Sequence, residues 1–171
     1  MPASTAANSE TFKVSMPSER EITMTRLFDA PRHLVFEAMS KPEHIKRWWG
    51  NLGDGYSVPV CEVDFRVGGK WRFVNRHPKG EVEFYGEYRE IDAPERIVFT
   101  EVYAPFPDSP SLVTSILLEE NGKTRITVTA QYPSKDVRDI VHNSGMEKGA
   151  AISYDRLEEV GQELARRAVS Q

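Results

Sequence analysis

The sequence has only one cysteine, Cys61, among its 171 residues. A single cysteine cannot form an internal disulfide, and it cannot build the multi-cysteine clusters that hold structural zinc. The four histidines are not spaced as in the helical His-Glu-x-x-His zinc motif, and none is adjacent to another or to the cysteine. The sequence therefore predicts neither a metal site nor another cofactor.

Long apolar runs and long basic runs are also absent. No stretch approaches the roughly 20 apolar residues that a membrane helix needs, and the N-terminus lacks the apolar core of a secretory signal. The net charge of −4 and the pI of about 5.6 provide no basic field for nucleic acid or for an anionic membrane. We therefore expect a cytoplasmic protein that neither inserts into a membrane nor binds nucleic acid.

What the sequence does contain is the composition of a folded domain. Hydrophobic residues make up 39% and charged residues 28%, which excludes a mainly disordered chain. Residues 1–18 are rich in Ala, Ser, Thr and Pro and show no hydrophobic periodicity, so we predict a flexible tail there. Residues 19–168 are predicted to form a single domain.

Short apolar and β-branched runs, separated by turn residues, predict seven strands. In order they are Glu21–Phe28, Val58–Asp64, Lys70–Asn75, Val82–Ile91, Ile97–Tyr103, Ser111–Leu118 and Thr124–Tyr132. Asn121-Gly122, between the last two, is the strongest signal of a tight hairpin. Strands this short, joined by tight turns, are typical of an antiparallel sheet.

Three helices are predicted around these strands. Two short ones follow Pro31 and Pro42, since proline is tolerated in the first helical turn. A long one spans residues 144–167, with apolar or small residues at intervals of three and four on one side and charged residues, including Asp155 and Glu158, expected on the other. A helix of about 36 Å must cross a whole sheet to bury its apolar side. The predicted fold class is α+β, with a curved antiparallel sheet of about seven strands gripping the long helix.

Aromatic residues cluster in the middle strands and the second short helix, and they are candidates for a ligand cavity. Trp71 and Phe73, and likewise Phe84 and Tyr88, keep the even spacing that puts side chains on one face of a sheet. The long helix that faces them has small residues, Ala150 among them. Large aromatics opposite small residues either interdigitate tightly or line a cavity.

Charged residues interrupt the same strands at Asp64, Arg66, Arg72, Glu87 and Glu101. We interpret them as outer-face residues, because a buried unpaired charge is very costly. Glu101 is kept as a candidate, since it has the same strand parity as apolar neighbours. Pointing inward, it would need an ion pair or a polar group of a ligand.

Six segments, in order, resemble a known family. They are residues 26–38 (RLFDAPRHLVFEA), 41–50 (KPEHIKRWWG), 64–73 (DFRVGGKWRF), 86–91 (GEYREI), 94–99 (PERIVF) and 145–149 (GMEKG), the last followed by Asp155-Arg156-Leu157. The chain resembles the prokaryotic group similar to the C-terminal domain of the activator of the 90-kilodalton heat-shock protein ATPase, within the START-like superfamily. The resemblance covers roughly residues 20–165.

The resemblance implies a helix-grip fold, with an apolar cavity between the sheet and the last helix. It implies no single activity, because this superfamily hosts carriers, cyclases and interaction modules. Members of the family commonly place a large aromatic residue at the position of Ala150. With alanine at this position, either neighbouring side chains fill the space or the cavity is larger there.

The favoured hypothesis is a noncatalytic domain that binds a small hydrophobic or amphipathic ligand, such as a lipid, an aromatic metabolite or a polyketide. The residues predicted to contact it are Trp49, Trp71, Phe73, Phe84, Tyr88, Phe99, Glu101, Met146, Ala150 and Tyr154. One alternative is an enzyme of cyclase or hydrolase type, in which Glu101 or Tyr154 transfers a proton. Another is a co-chaperone-like interaction module. A homodimer through sheet edges is also compatible with the sequence.

Overall fold

The computed structural model describes residues 11–170, and eight strands there form one antiparallel sheet. The strands are β1 (Lys13–Ser15), β2 (Glu21–Phe28), β3 (Ser57–Val63), β4 (Lys70–His77), β5 (Gly80–Asp92), β6 (Arg96–Tyr103), β7 (Ser111–Glu120) and β8 (Lys123–Gln131). Their order across the sheet is β1-β2-β8-β7-β6-β5-β4-β3. Strands β3 to β8 are neighbours in chain order, each antiparallel to the next. Strand β2 pairs with β8, so the N-terminal strands β2 and β1 complete the sheet beyond β8.

Four helices lie wholly within residues 11–170, and the sequence explains where most of them begin. They are α1 (Arg32–Ser40), α2 (Pro42–Trp48), α3 (Lys135–His142) and α4 (Met146–Ser170). Pro31 and Pro42 stand at the starts of α1 and α2, where a missing backbone N–H has no cost. Ser134 caps α3 by accepting the N–H of Val137 at 3.2 Å. No helix in residues 11–170 is long and apolar enough to cross a bilayer.

The α+β architecture and the curved antiparallel sheet agree with the prediction, and the hairpin signal is confirmed. Asn121 (φ 52°) and Gly122 (φ 81°) both have positive φ, as a two-residue type I′ turn requires, and Glu120 pairs with Lys123 around them. Register shifts between β3 and β4 and between β5 and β6 accommodate the bend of the sheet.

Two elements were not predicted. The short strand β1 lies inside the segment predicted as a flexible tail: Val14 pairs with Met24 and Ser15 with Thr23, so the prediction is wrong for this part. Residues 1–10 of that predicted tail lie outside the described residues. Three residues are too few to show a period of two, and β1 accounts for the eighth strand. Helix α3 was missed although Val137, Ile140 and Val141 have helical spacing, because its eight residues make only about two turns.

The core lies between the inner face of the sheet and the middle of α4, from Ser153 to Leu164. Phe28, Leu117, Ile126 and Leu157 are at most 1% exposed. A Cβ atom at Gly161 would lie 3.1 Å from the Cβ of Ala30, so glycine allows α4 to approach the start of α1 closely. In this region the sheet and the helix are therefore packed without spare room.

A buried ion cluster connects β2 to α4. Arg26 is 1% exposed, and its Nη2 lies 3.0 Å from Asp155 Oδ1 and 3.2 Å from Glu158 Oε1. The other oxygen of Glu158 accepts the backbone N–H of Asp29 at 2.7 Å. The prediction that Asp155 and Glu158 face solvent is wrong for Glu158, which is buried, because the helix turns this charge toward a partner inside the protein. Arg26 keeps the parity of Ile22 and was recognisable as an inner-face residue from that spacing.

Gly86 in β5 is required by its neighbours rather than by its backbone angles. A Cβ atom there would lie 1.7 Å from the carbonyl oxygen of Thr100 and 2.8 Å from Nε1 of Trp71. That indole donates a hydrogen bond of 3.2 Å to the same carbonyl. We predict that Gly86→Ala lowers the free energy of unfolding by about 1–3 kcal/mol, because the strand must shift to make room. Urea unfolding measures the change.

Gly149→Ala is the matched control for Gly86→Ala. Position 149 lies within α4, and a Cβ atom there meets only Leu52 Cδ1, at 3.7 Å. Alanine favours a helix over glycine by up to about 1 kcal/mol, so this variant is expected to be as stable as the wild type or more stable. Equal losses in the two variants would contradict the steric explanation.

Candidate functional site

Five of the predicted aromatic residues form one cluster on the inner face of the β4–β5–β6 region. The ring centroid of Trp49 lies 4.9 Å from Phe84 and 5.0 Å from Phe73. Trp71 lies 4.7 Å from Phe73 and 5.6 Å from Phe99. Most of these pairs meet edge to face, the arrangement that aromatic rings prefer. The structure thus brings together residues that are up to 50 positions apart in the sequence.

Tyr88 extends this cluster along β5. Its ring centroid is 6.2 Å from Phe99, with which it also pairs in the sheet, and 5.1 Å from Phe65. Burial raises the pKa of the Tyr88 hydroxyl, since ionisation would leave a charge in an apolar environment. Tyr88 is therefore a neutral wall residue of the cluster.

The backbone beside Trp49 is held by a polar clamp. Asn75, a buried residue of β4, donates its amide to the Trp49 carbonyl at 3.1 Å. Gly50 has a positive φ of 65°, and a Cβ atom there would lie 2.2 Å from the Asn75 amide nitrogen. Ser153 of α4 accepts the N–H of Gly50 at 3.1 Å. Trp49 therefore stands at a fixed point between the sheet and the long helix.

A row of rings leads from this cluster to the surface. Phe84 lies 5.2 Å from Tyr103, and Tyr103 lies 5.8 Å from Phe106 in the loop that follows β6. Tyr103 is 37% exposed and Phe106 is 62% exposed. The aromatic surface is therefore continuous from the buried Trp71 to solvent.

Tyr154 belongs to a different group of rings. Its centroid lies 5.7 Å from Phe28, 5.9 Å from Phe12 and 6.4 Å from Trp48, and it has no ring contact with Trp49 among the described residues. The structure therefore separates this predicted site residue from the main aromatic cluster.

Glu101 projects from the inner face of β6. Phe99, two residues earlier, pairs with the buried Val113, and Glu101 pairs with the buried Ser111. Its side chain is half-buried, and among the described residues nothing donates a hydrogen bond to its carboxyl group. Burial raises its pKa from 4.5 to about 7. The outer-face interpretation is therefore wrong for Glu101.

The other charged residues of that prediction do lie toward solvent. Their side chains are 39–69% exposed, and each has an ion-pair partner: Asp64 with Arg66, Arg72 with Glu83, and Glu87 with Arg89. Exposed pairs of this kind contribute little to stability.

The charge of Glu101 reaches two tyrosines. Burial is the main cause of the raised pKa of Tyr154 and of Tyr132. The Glu101 carboxyl raises the pKa of both tyrosines further. Arg26 acts in the opposite direction on Tyr154. Tyr132 was not among the predicted site residues, although it has the same parity as Ile126 in the preceding strand. Glu101, Tyr132 and Tyr154 therefore lie close enough together to interact electrostatically.

The helix side of the predicted site is loosely covered. Met146 and Ala150, in the first turns of α4, are half-buried, and so are Trp49, Phe84 and Phe99 of the aromatic cluster. The same helix is fully buried at Leu157, two to three turns later. Helix α4 is thus closely packed in its middle, from Ser153 to Leu164, and only half-buried at Met146 and Ala150 in its first turns.

Metal or thiol chemistry has no support in this part of the molecule. Within residues 11–170, no three His, Cys, Asp or Glu side chains are grouped so that they could hold a metal ion. Burial raises the pKa of the Cys61 thiol to about 11, so it is a poor nucleophile at neutral pH. The polar chemistry of the candidate site therefore comes from Glu101 and the tyrosines.

Comparisons with known proteins agree with this geometry. The model of the family described as "Activator of Hsp90 ATPase homolog 1-like protein" matches residues 29–162. Among the curated proteins, none matches the chain.

Solved structures share the fold at low sequence identity. A crystal structure of a protein from Rhodobacter sphaeroides is 24% identical, with a TM-score of 0.77, and the match covers 86% of this chain and 95% of that one. An X-ray structure from Nitrosomonas europaea is 23% identical, with a TM-score of 0.76 and coverages of 88% and 99%. An NMR structure from Arthrobacter aurescens is 23% identical, with a TM-score of 0.78 and coverages of 88% and 91%. The shared fold is the helix grip.

Proposed function

Because the chain belongs to the Activator of Hsp90 ATPase homolog 1-like family, as the match over residues 29–162 establishes, we propose that it binds a small apolar or amphipathic ligand between the sheet and α4. The family and the helix-grip fold support a ligand-binding or a co-chaperone-like domain. The choice of a ligand, and of its chemical class, rests on the inner face described above.

The observation that carries the proposal is the half-buried carboxyl of Glu101, which accepts no hydrogen bond from the described residues and lies on a largely apolar inner face. Burial raises its pKa, because the surroundings hydrate the charged form poorly. On the same face of the sheet Phe99 and Phe84 are half-buried, and so is Trp49, which packs against Phe84. A ligand with an apolar body and one hydrogen-bond donor would cover the rings and satisfy Glu101.

The combination of aromatic rings and one carboxyl group indicates the class of ligand. Edge-to-face rings such as those of Trp49 and Phe84 provide a broad apolar surface that suits an aromatic or aliphatic body. A carboxyl group with a pKa near 7 can accept a hydrogen bond from a hydroxyl or an amine, and when protonated it can donate to a carbonyl. An amphipathic molecule therefore fits better than a pure hydrocarbon.

Native mass spectrometry of freshly purified protein tests the proposal directly. A copurified molecule of a few hundred daltons that dissociates on gentle activation, and whose fragments show an apolar body with a polar end, is the expected result. Protein that stays ligand-free and also fails to bind Nile red, a neutral apolar dye, would refute the proposal. The proposal also includes a homodimer and a cytoplasmic location. The same spectra report whether the chain is a homodimer.

Glu101→Gln provides a pH-dependent prediction. Since the folded protein raises the pKa of Glu101 from 4.5 to about 7, the folded state binds this proton more tightly than the unfolded state. Wild-type stability is therefore expected to fall as the pH rises from about 4.5 to 7, and to be unaffected by this group below that range. We expect Glu101→Gln to be more stable than the wild type at pH 8, by about 1–3 kcal/mol, and equally stable at pH 4.

Urea unfolding at several pH values measures this difference. The matched control is Glu87→Gln, since the Glu87 side chain is 39% exposed and lies on the neighbouring strand β5. It is expected to change stability by less than about 0.5 kcal/mol at any of these pH values. A Glu101→Gln variant with no gain at high pH would mean that Glu101 is solvated.

A second function, proton transfer, is favoured by the same carboxyl group. A general acid or base is most effective when its pKa is near the working pH, and Glu101, with a pKa of about 7, lies within electrostatic reach of Tyr154. Incubating the copurified molecule with the wild type and with Glu101→Gln separates the two functions. A change of ligand mass that requires Glu101 identifies an enzyme, and an unchanged ligand with both proteins identifies a carrier.

A further inference from the structure

A second cleft lies away from the aromatic cluster, between α2, the start of β3 and the outer flank of α4. Its volume is about 440 Å³, which is within the range of small-molecule sites. Its polar lining comes from Lys46, Arg47, Asn51, Tyr56, Ser57, Arg156 and Glu159. None of the residues assigned to the apolar ligand lines it, so the two sites are separate.

Arg156 is the unusual residue of this cleft. Among the described residues no carboxylate or carbonyl accepts a hydrogen bond from its guanidinium, and its Nε is buried with no partner. By contrast, Arg47 in the same cleft pairs with Glu163, and Arg167 pairs with Glu163 from the next turn of α4. A sheltered N–H group without an acceptor destabilises the folded protein. The terminal Nη1 and Nη2 groups also have no acceptor among the described residues but are not enclosed, so a ligand in the cleft can accept hydrogen bonds from them.

The charges around Arg156 favour an anionic ligand. Lys46 also has no ion-pair partner in residues 11–170, so two positive charges of the cleft are not neutralised. The opposing charge is Glu159, which is exposed at the cleft and can turn toward solvent. The hydroxyl groups of Tyr56 and Ser57 add neutral donors.

We propose that this cleft binds the phosphate group of a phosphate monoester. A guanidinium presents its N–H groups as a planar fork that matches two phosphate oxygens, and the ammonium of Lys46 and the two hydroxyl groups can reach the remaining oxygen. Phosphate suits this set of donors better than a carboxylate, which has only two oxygens. The buried side chains of Val58 and Val160 line the same cleft and can contact the apolar part of the ester.

The test is an NMR titration of the full-length ¹⁵N-labelled protein with glycerol 3-phosphate at constant ionic strength. Saturable shifts are expected in residues 46–58 and at the Nε–H of Arg156. Arg156→Gln is expected to weaken binding at least about tenfold, because it removes charge-assisted hydrogen bonds. Arg156→Lys keeps the charge without the fork and should also weaken binding. Glu159→Gln should tighten binding a few-fold, since it removes the opposing charge.

The matched control is Arg166→Gln, an exposed arginine of the same helix outside the cleft. It should bind like the wild type.

A parallel titration with vesicles containing phosphatidic acid distinguishes a lipid headgroup from a soluble ester as the source of the phosphate. An effect of Arg156→Gln in either titration supports the proposal. Absence of saturable shifts in both, equal binding by Arg156→Gln, or acetate binding as tight as phosphate would overturn it.

Discussion

Glu158→Ala is expected to lower the free energy of unfolding by about 3–5 kcal/mol, a large part of the stability of an ordinary domain. The substitution leaves Arg26, which is 1% exposed, with Asp155 as its one remaining carboxylate, at 3.0 Å. It also removes the acceptor of the Asp29 backbone N–H. Guanidinium chloride unfolding, followed by circular dichroism, measures the loss.

Glu163→Ala is the matched control for Glu158→Ala. Both residues are glutamates of α4 that pair with arginines, but the pair of Glu163 with Arg47 is exposed to solvent. The control is expected to lose less than about 1 kcal/mol. A double variant, Arg26→Met with Glu158→Leu, should recover part of the loss, because replacing a buried ion pair with apolar side chains is often neutral or stabilising. Equal losses in the two single variants would show that the buried cluster contributes no more than a surface pair.

Ala150→Trp is expected to abolish binding of an apolar ligand while leaving the protein folded. Ala150 is half-buried in the first turns of α4, and a tryptophan there adds a side chain with about 150–250 Å² of surface. It would occupy the space that we assign to the ligand. Because packing at this end of α4 is loose, the ring can be accommodated with little strain. Nile red titration and native mass spectrometry measure the loss of binding, which should exceed a hundredfold.

The control is Ala168→Trp, which makes the same change at an exposed position near the end of α4. It should bind Nile red as the wild type does. Thermal unfolding of both variants shows whether Ala150→Trp remains folded. If Ala150→Trp is folded and keeps its affinity for the dye, the ligand does not lie between the sheet and the N-terminal half of α4.

Much of the fold was predictable from local patterns. The alternation along Thr124–Gln131, the Asn121-Gly122 turn and the position of Pro42 each determine a conformation through neighbouring residues alone. Strand β1 and helix α3 were missed because three and eight residues are too few for a pattern to stand out. Strand β1 forms by pairing with the next strand, β2, and α3 begins at the cap Ser134.

The candidate site was predictable in part. The aromatic cluster followed from even spacing within β4 and β5, and its members do meet. Glu101 and Arg26 both have inner-face parity in the sequence, yet the cost of burying a charge argued that Glu101 faces solvent, and no face was predicted for Arg26. For Arg26 that cost is reduced by Asp155 and Glu158, about 130 residues away, and such a compensation cannot be inferred from one strand.

The sequence by itself determined the α+β class, the family and which strand residues share a face, because these depend on local spacing and on ordered motifs. Only the tertiary structure decided that the grip of α4 is closed at Leu157 and open at Ala150. It also decided that Glu101 and Arg156 are left without partners among the described residues. Packing and the satisfaction of charges depend on side chains that approach from distant parts of the chain, and their distances exist only once the sheet and the helix are assembled.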